Sequence, residues 1–226
     1  NEAVWQALSS STLNNHTAKY YYQDEDGRGG VTATSPNYPI TGYVIKKYNN
    51  PMDAWTGTGA RHIQKAYPII RYAEILLSYA EALNNLTGPH TVELDGQPYT
   101  MSRDKEEIKK AFNQVRYRAG LPGLTANQLN STPEVQKQIE RERMVEFLWE
   151  NRRFYDVRRW GIYEETEQEP IRGMNPDGAT KETYYQRVIP SSSSFLTRVV
   201  DKRSVWVPIP RNEMRRLPSL DQNPGY

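Results

Sequence analysis

The sequence predicts a mainly α-helical protein, built from tetratricopeptide-like helical pairs with long irregular loops and a few short strands. Two segments, Arg71–Leu86 and Asp104–Gly120, repeat apolar residues at helical spacing. The charged stretch Ile139–Trp160 contains two further helical periods. Stretches rich in Gly, Pro, Asn and Asp separate these segments, as turns and loops do.

The composition limits the classes of function that are open to the protein. The 226 residues carry 29 basic and 27 acidic side chains, and a net charge of +2 gives little attraction to nucleic acid or membranes. No nucleic-acid partner is therefore expected. The absence of cysteine excludes disulfides and thiolate metal sites. His16, His62 and His90 lack the spacing of metal ligands, so neither a metal nor a cofactor is expected.

Three segments follow one another along the chain. Residues 1–66 are irregular and rich in turn formers, and they form a candidate ligand-facing surface. Residues 67–161 are predicted to form the helical scaffold. Residues 162–226 form a loop-rich C-terminal segment that ends in a proline-rich tail.

Short elements are predicted within the two irregular segments. The composition of Tyr43–Tyr48 favours a short strand, and Val205–Val207 is expected to be extended. The prolines that follow Val207 exclude it from the centre of a sheet. A single helical turn is predicted to end at Arg216.

The helix Arg71–Leu86 is apolar on two of its three sides. The stripes are Ala73, Leu76, Leu77, Ala80 and Leu83, and Tyr72, Ile75, Tyr79, Ala82 and Leu86. Such a helix packs between neighbours, so both stripes are expected to be covered. The following helix is expected to begin after Ser102 or Asp104 and to end at Gly120 with a positive φ. The pair fits one tetratricopeptide repeat, and an ordinary antiparallel helix pair fits equally well.

The stretch IERERMVEFLWENRRFYDVRRW, Ile139–Trp160, is predicted to form two helices joined at Asn151 in the left-handed conformation. Trp149 and Trp160 lie on the apolar faces of these helices and are expected in the core. Glutamates on the first helix and arginines on the second are expected to pair across the bend. The predicted members of this structural charge network are Arg71, Arg116, Glu142, Arg143, Glu146, Glu150, Arg153, Asp156 and Arg159.

The same charges argue against two other functions. Catalysis by carboxylates requires a pair that flanks a cleft and has separated pKa values, whereas glutamates facing arginines stay ionised. A nucleic-acid surface requires arginines that are not matched by acids, and each arginine cluster here has acids within one turn. No catalytic residue is therefore expected.

Four linked motifs resemble the SusD/RagB family of outer-membrane nutrient-binding lipoproteins from Bacteroidota-type bacteria. The motifs are Tyr67–Asn84, Ala111–Leu124, Ile139–Gly161 and Pro208–Tyr226. Members usually have Gly where this chain has Asn151. They are also more than twice as long and carry a lipidated N-terminal cysteine, so the resemblance implies that this chain is the C-terminal part of a longer protein.

The resemblance implies a non-catalytic protein on the outer face of the outer membrane. Such a protein binds a glycan or another nutrient and caps a SusC-like TonB-dependent transporter. Its lipid anchor would be an N-terminal cysteine outside this chain, and its N-terminal half would pack on this part. Two other classes remain open, namely a tetratricopeptide-like scaffold that binds peptides or proteins, and a hydrolase of the same nutrient-uptake setting.

Aromatic rings on loops are the expected contacts for a sugar, because their faces pack on the apolar C–H faces of the ring. Trp55 is the first candidate, since Gly57 and Gly59 leave space beside it. Asp53 and Arg61 would supply polar partners. The alternative for each ring is packing against the helical scaffold. The predicted ligand-binding residues are Trp55, Asp53, Arg61, Tyr20, Tyr21, Tyr22 and Tyr38.

Overall fold

The structure is a computed structural model, and its contacts divide the chain into two compact units. Unit 1 contains Asn1–Tyr67 and Gly161–Tyr226, and unit 2 contains Pro68–Trp160. Unit 1 thus includes residues of both the first and the third predicted segment. The described residues are 4–9, 12–17, 21–22, 27–29, 38–45, 47–50, 52–53, 60–190 and 198–226, with the backbone alone for the first two ranges.

Unit 2 contains five helices among its described residues, and this confirms the mainly α-helical prediction. They are α1 (Tyr72–Asn84), α2 (Lys105–Arg118), α3 (Ala126–Leu129), α4 (Thr132–Glu146) and α5 (Arg152–Arg159). Helix α1 packs against both α2 and α4. The apolar core between them contains Leu77, Ala80, Leu83, Ile108, Ala111, Phe112, Val115, Val135, Ile139 and Phe147.

The two apolar stripes of α1 have different environments. Leu77 and Ala80 of the first stripe are completely buried. Tyr72, Ile75 and Tyr79 of the second stripe are 69%, 55% and 41% exposed. The described helices of unit 2 pack on one side of α1 only, so the cover expected for the second stripe is not provided within this unit.

A β-hairpin links α1 to α2, where the sequence predicts only turns. Strands β3 (His90–Leu94) and β4 (Gln97–Met101) are antiparallel and meet at Asp95 and Gly96. Both turn residues have positive φ, 51° and 73°, which matches the right-handed twist of the strands. The Asp-Gly pair is the sequence signal for this turn.

The predicted ends of the second helix are confirmed. Asp104 caps α2, because its carboxylate accepts the backbone N–H groups of Glu106 and Glu107 at 2.9 and 3.0 Å. Gly120 follows the helix with a φ of 70°. Asn113 on α2 is buried. Its side-chain oxygen accepts the N–H of Leu124 at 2.9 Å, and this bond attaches the loop that follows the helix to α2.

Helix α4 ends earlier than the sequence predicts. Its apolar and acidic periods continue to Glu150, but the helix stops at Glu146, and Phe147 is its C-terminal cap. Trp149 has a φ of 65° in the turn that follows, and its side chain is 60% exposed. The expectation that Trp149 lies in the core is therefore wrong, because the early end of the helix turns this residue away from the apolar face. Phe147 is buried instead.

Asn151 adopts the predicted left-handed conformation, with φ 59° and ψ 9°, immediately before α5. Its side chain makes no capping hydrogen bond, so the backbone conformation alone selects the residue. We expect Asn151→Gly to leave the free energy of unfolding unchanged or slightly higher, since glycine adopts this φ freely. Asn151→Val should cost about 1 kcal/mol or more. Urea denaturation checks both variants, and equal stability of the two would contradict the prediction.

Unit 1 consists of short elements joined by long loops. Strands β1 (Val4–Ser9) and β2 (Thr12–Thr17) form an antiparallel hairpin inside a segment predicted to be irregular. The described residues of unit 1 also contain the short helices α6 (Tyr163–Glu167), α7 (Lys181–Tyr184) and α8 (Arg211–Arg216). Helix α8 confirms the helical turn that was predicted to end at Arg216.

Two predicted extended segments differ in the structure. The described residues of Tyr43–Tyr48 contain no strand. Val205 is not extended, because it closes a 3-10 helix at Lys202–Val205, whereas Trp206 has the predicted extended conformation, with φ −103° and ψ 139°. Asp201 caps this 3-10 helix, since its carboxylate accepts the N–H of Arg203 at 3.1 Å. The local cap therefore overrides the strand propensity of the valine.

The C-terminal tail folds back on the proline-rich segment before α8. The amide of Gln222 accepts the N–H of Ile209 at 2.8 Å and donates to its carbonyl at 3.0 Å. Asn223 donates to the carbonyl of Val207 at 2.7 Å. The prolines on both sides of Ile209 restrict this segment to an extended form, and two amide side chains therefore replace the missing strand partner.

Candidate ligand-binding site

The first group of predicted site residues is the charge network of unit 2. Arg71 donates from Nε and Nη2 to the carboxylate of Glu150, with both distances 2.8 Å, and from Nη1 to Glu146 at 2.8 Å. Arg118 donates to the other oxygen of Glu146. The hydrogen bonds that Arg71 donates to Glu150 and Glu146 raise its pKa against the opposing effect of burial. Helix α1 is thereby fastened at its N-terminus to the end of α4.

A second ion pair is almost completely buried. Arg143 donates from Nε and Nη2 to the two carboxylate oxygens of Asp156 at 2.9 and 3.0 Å. The two side chains are only 5% and 4% exposed. Arg159 also donates to Asp156, at 2.9 Å, and Arg116 donates to the buried Glu142 at 2.8 Å. Charges as deeply buried as these require partners on every side.

Glu81 on α1 extends the network to α5. Its carboxylate accepts hydrogen bonds from Arg159 at 2.8 Å and from the indole N–H of Trp160 at 2.7 Å. Burial alone would raise the pKa of Glu81, but the bonds from Arg159 and Trp160 outweigh burial and lower it. Trp160 is partly buried and contributes through this bond rather than by complete burial in the core.

The pairing differs in detail from the sequence-based expectation. Two arginines after the bend pair with glutamates of α1 and not with those of α4. Arg152 pairs with Glu74, and Arg159 pairs with Glu81. Arg153 lies on α5 with its side chain partly buried. The structural role of the network stays a prediction, and the mutual saturation of acids and arginines supports it.

A polar cavity of about 340 Å³ opens beside this network in unit 2. Arg143 spans its wall and donates from Nη1 to the hydroxyl of Ser78 at 3.2 Å. The charged groups in the wall are already bonded to partners, which leaves little for a charged ligand to satisfy. The lining residues are Ser78, Glu81, Ala82, Asn85, Arg143 and Arg159.

Tyr184 is the centre of the second group, in unit 1. Its side chain is 3% exposed, and its hydroxyl donates to the carbonyl of Gly42 at 2.6 Å. Its ring meets Tyr21 edge-on at 5.5 Å and Tyr185 at 5.4 Å between centroids. Met174 donates its N–H to the carbonyl of Thr41 at 2.9 Å. Three chain segments that are distant in sequence are therefore held together at one buried ring, which we call the Tyr184 hub.

An exposed ion pair and two tyrosines lie on the segments that the hub fastens. Arg28 donates to Asp177, and the two side chains are 39% and 54% exposed. The guanidinium of Arg28 lies over the ring of Tyr38, 5.9 Å from its centroid. The backbone N–H of Tyr22 donates to the carbonyl of Gly178 at 3.0 Å. Predicted ligand residues Tyr22 and Tyr38 are thus brought to the same ion pair.

The pKa of Arg28 agrees with this arrangement. The hydrogen bond and the charge of Asp177 raise the pKa of the guanidinium most, and the phenol groups of Tyr38 and Tyr22 add to the increase. The group consists of one cation, one anion and aromatic rings.

Asp53 and Arg61, the polar residues predicted to bind a ligand beside Trp55, form bonds within the protein. Asp53 accepts the N–H of Ile63 at 2.8 Å and pairs with Lys65. These two bonds lower the pKa of the Asp53 carboxyl, the one from Lys65 more strongly. Arg61 donates to the carbonyl of Met52 at 2.8 Å. Both side chains thus close the base of the loop.

Two predicted ligand residues, Trp55 and Tyr20, lie outside the described residues. Their contact with a ligand stays a prediction. The described ends of the loop that contains Trp55 approach each other through the bonds of Asp53 and Arg61.

Sequence reasoning missed four residues of the second group. Arg28 lies in the same turn-rich stretch, Tyr20–Gly30, as the predicted ligand residues Tyr20, Tyr21 and Tyr22. This position is the signal by which it could have been found. Asp177 occupies the turn Asn175–Gly178, whose Asn-Pro-Asp-Gly sequence is a strong turn signal. Nothing local to Tyr184 or Tyr185 distinguishes them from other tyrosines.

Two features are absent from the described part of the chain. No helix there combines the length and apolar character needed to cross a membrane. No cluster of three or more histidine and acidic side chains is arranged there to hold a metal ion.

Comparison with known proteins identifies relatives of the whole chain. A family model described as the SusD family matches residues 1–226. A SusD-like protein, P2, from Formosa agariphila is 26% identical over 231 residues, which cover 91% of this chain and 39% of that protein.

A solved structure gives the same result for the fold. The crystal structure of a SusD-like protein from Bacteroides fragilis superposes with a TM-score of 0.63 and 30% sequence identity. The match covers 94% of this chain and 35% of the other. The chain therefore spans less than half the length of both relatives.

Proposed function

Because this chain belongs to the SusD/RagB family, we propose that the protein carrying it is a non-catalytic cell-surface protein that binds a nutrient glycan. We propose that it sits on the outer membrane through a lipid on an N-terminal cysteine. There it would deliver its ligand to a SusC-like TonB-dependent transporter. The relatives support family membership, and the ligand, anchor and transporter belong to the proposal.

The observation that carries the binding function is the surface presented by the Tyr184 hub. Tyr22, Arg28 and Asp177 are exposed, yet they stand on segments that are hydrogen-bonded to one another. Recognition of a sugar requires rings and polar groups held in fixed positions, since a rigid site pays less conformational entropy on binding. Exposed aromatic and polar side chains on a buried anchor fit this requirement.

Binding is favoured over hydrolysis by the state of the buried carboxylates in unit 2. Glu142, Glu150 and Asp156 are buried, and each accepts a hydrogen bond from an arginine. Carboxylates that are buried and bound by arginines in this way have structural partners, whereas glycoside hydrolysis needs two carboxyl groups that flank the scissile bond.

The open stripe of α1 fits a protein that continues beyond this unit. Tyr72, Ile75 and Tyr79 would be covered by further helices of the same protein, as neighbouring repeats cover one another in helical arrays. The greater length of both relatives supports this proposal. The N-terminal half expected from the family resemblance is our candidate for these helices.

A peptide-binding scaffold of the tetratricopeptide type is the second candidate function. The polar cavity beside Ser78 and Asn85 favours it, since such scaffolds bind peptides in a groove lined with polar side chains. The internal pairing of Arg143 and Arg159 with acids weighs against it.

The test is binding of the whole gene product to an array of oligosaccharides and to an array of peptides. We expect retention on oligosaccharides, and we expect Tyr22→Ala to weaken it about ten-fold, as loss of one stacked ring would. Tyr99→Ala is the matched control, because Tyr99 is 52% exposed on β4 in unit 2. Binding to peptides but to no oligosaccharide would replace the proposal with the scaffold function.

A further inference from the structure

We infer that the exposed pair Arg28–Asp177, with the ring of Tyr22 beside it, forms a subsite for a neutral pyranose that presents two adjacent hydroxyl groups. This inference rests on the proposed glycan-binding function and specifies the class of sugar. It adds Arg28 and Asp177, which the sequence does not single out as ligand residues.

The pair is held in place before any ligand arrives. The N–H of Asp177 donates to the side chain of Asn175 at 3.1 Å, and the N–H of Gly178 donates to the carbonyl of Asn175 at 3.0 Å. A Cβ on Gly178 would lie 2.5 Å from the backbone nitrogen of Tyr184, so the turn packs closely on the hub. The bond from Tyr22 to Gly178 attaches the segment that carries Arg28.

Toward the described residues, the pair uses only part of its hydrogen-bonding capacity. Arg28 has five N–H groups, and Asp177 engages one of its terminal nitrogens. The second carboxylate oxygen of Asp177 accepts no hydrogen bond from the described residues. A diol fits this pattern, because adjacent hydroxyls can donate to the carboxylate while their oxygens accept from the guanidinium. Such charge-assisted bonds are stronger than those between neutral groups.

The charge balance selects a neutral sugar. Arg28 and Asp177 cancel each other, and an acidic sugar would bring a second anion next to the carboxylate of Asp177. Recognition of carboxylate or sulfate groups requires arginines without an acidic partner. The ring of Tyr22 is 38% exposed, and its Cε1 would lie 3.2 Å from a Cβ on Gly29, the residue that follows Arg28. The ring therefore supplies an apolar face next to the pair for the C–H groups of the pyranose.

A purely structural ion pair is the competing explanation. Exposed pairs contribute little to folding. Asp177→Asn should therefore shift the thermal midpoint by no more than ~3 °C in either case. Affinity for sugar distinguishes the two explanations, because only the subsite predicts a loss of binding.

The experiment measures binding of the whole gene product to neutral glucan, xylan, mannan and galactan oligosaccharides, and to uronate and sulfated oligosaccharides. Isothermal titration with the tightest neutral probe then compares Asp177→Asn and Arg28→Lys with the wild type. We expect both to bind ten-fold or more weakly. Asp201→Asn is the control, since its pair with Arg203 is similarly exposed, at 48% and 53%, and it should bind like the wild type.

The outcomes separate the two proposals. Normal binding by Asp177→Asn and Arg28→Lys would overturn the subsite and leave the glycan-binding function standing. Binding to the acidic probes alone would overturn the neutral class of ligand. Failure of the wild type to bind any oligosaccharide would overturn the proposed function itself. If Asp177→Asn does not fold, Arg28→Lys carries the same test, because it keeps the charge and removes the planar fork.

Discussion

Replacing Asp156 with alanine should lower the free energy of unfolding by about 3–5 kcal/mol, because the guanidinium of Arg143 would remain charged and buried without its main partner. The arginine side chain is 5% exposed and makes two bonds to this carboxylate, at 2.9 and 3.0 Å. Arg159 would lose a bond from the same change. Arg143 would keep its hydrogen bond to the neutral hydroxyl of Ser78, and the centroid of the Phe147 ring lies 5.2 Å from the guanidinium carbon.

Denaturation by urea, followed by far-ultraviolet circular dichroism, measures the loss. Asp201→Asn is the control, because it removes the exposed ion pair with Arg203 but keeps the side-chain oxygen that caps the 3-10 helix, and it should cost only about 0–1 kcal/mol. A double replacement of Arg143 and Asp156 by apolar residues of similar volume should recover most of the lost stability. A loss below 1 kcal/mol in Asp156→Ala would show that water reaches Arg143 and that the network is a solvated surface.

Gly42→Ala should destabilise unit 1 by about 2–4 kcal/mol, through backbone strain and overpacking together. Gly42 has a φ of 70°, and this conformation is higher in free energy for any residue that has a Cβ. An added Cβ would also lie 2.6 Å from the Cβ of Met174 and 3.0 Å from the hydroxyl of Tyr184. That hydroxyl donates to the carbonyl of Gly42, so the change acts on the bond that anchors the hub.

Two other glycines separate the causes. Gly120→Ala imposes the same φ of 70° in open space, and should cost about 1–2 kcal/mol from strain alone. Gly88 does not have a positive φ, and an added Cβ would meet no described residue within 4 Å. Gly88→Ala should therefore change the free energy of unfolding by no more than about 0.5 kcal/mol. Thermal unfolding and hydrogen exchange at residues 173–185 measure the effect of Gly42→Ala. Equal costs at Gly42 and Gly120 would show that the hub yields to the extra methyl group.

The effect on function provides a further readout of the same variant. The hub holds the turn that carries Asp177, so loosening it should weaken oligosaccharide binding in Gly42→Ala. Gly120→Ala lies in unit 2 and should leave that binding unchanged. Weakened binding in both variants would indicate a general loss of folded protein rather than a local change at the hub.

The sequence by itself determined the features that depend on near neighbours in the chain. The helical periods of α1 and α2 and the positive φ of Gly120 follow from residues within one or two helical turns, whereas the structure decided that Asp104 and not Ser102 is the cap of α2. The left-handed Asn151 follows in the same way, from a polar residue between two helical periods. Membership of the SusD/RagB family also follows from the sequence, because several motifs occur in one order.

Only the tertiary structure decided which of these side chains meet. Arg71 binds Glu150 across 79 positions, and Tyr184 binds Gly42 across 142, and no periodic pattern encodes such pairs. The same holds for the early end of α4, since helical propensity continues through Trp149 while the turn beyond Glu146 buries Phe147 instead. Hydrophobic periodicity specifies which face of an element is apolar, whereas the partner of a buried charge or ring depends on how distant segments pack.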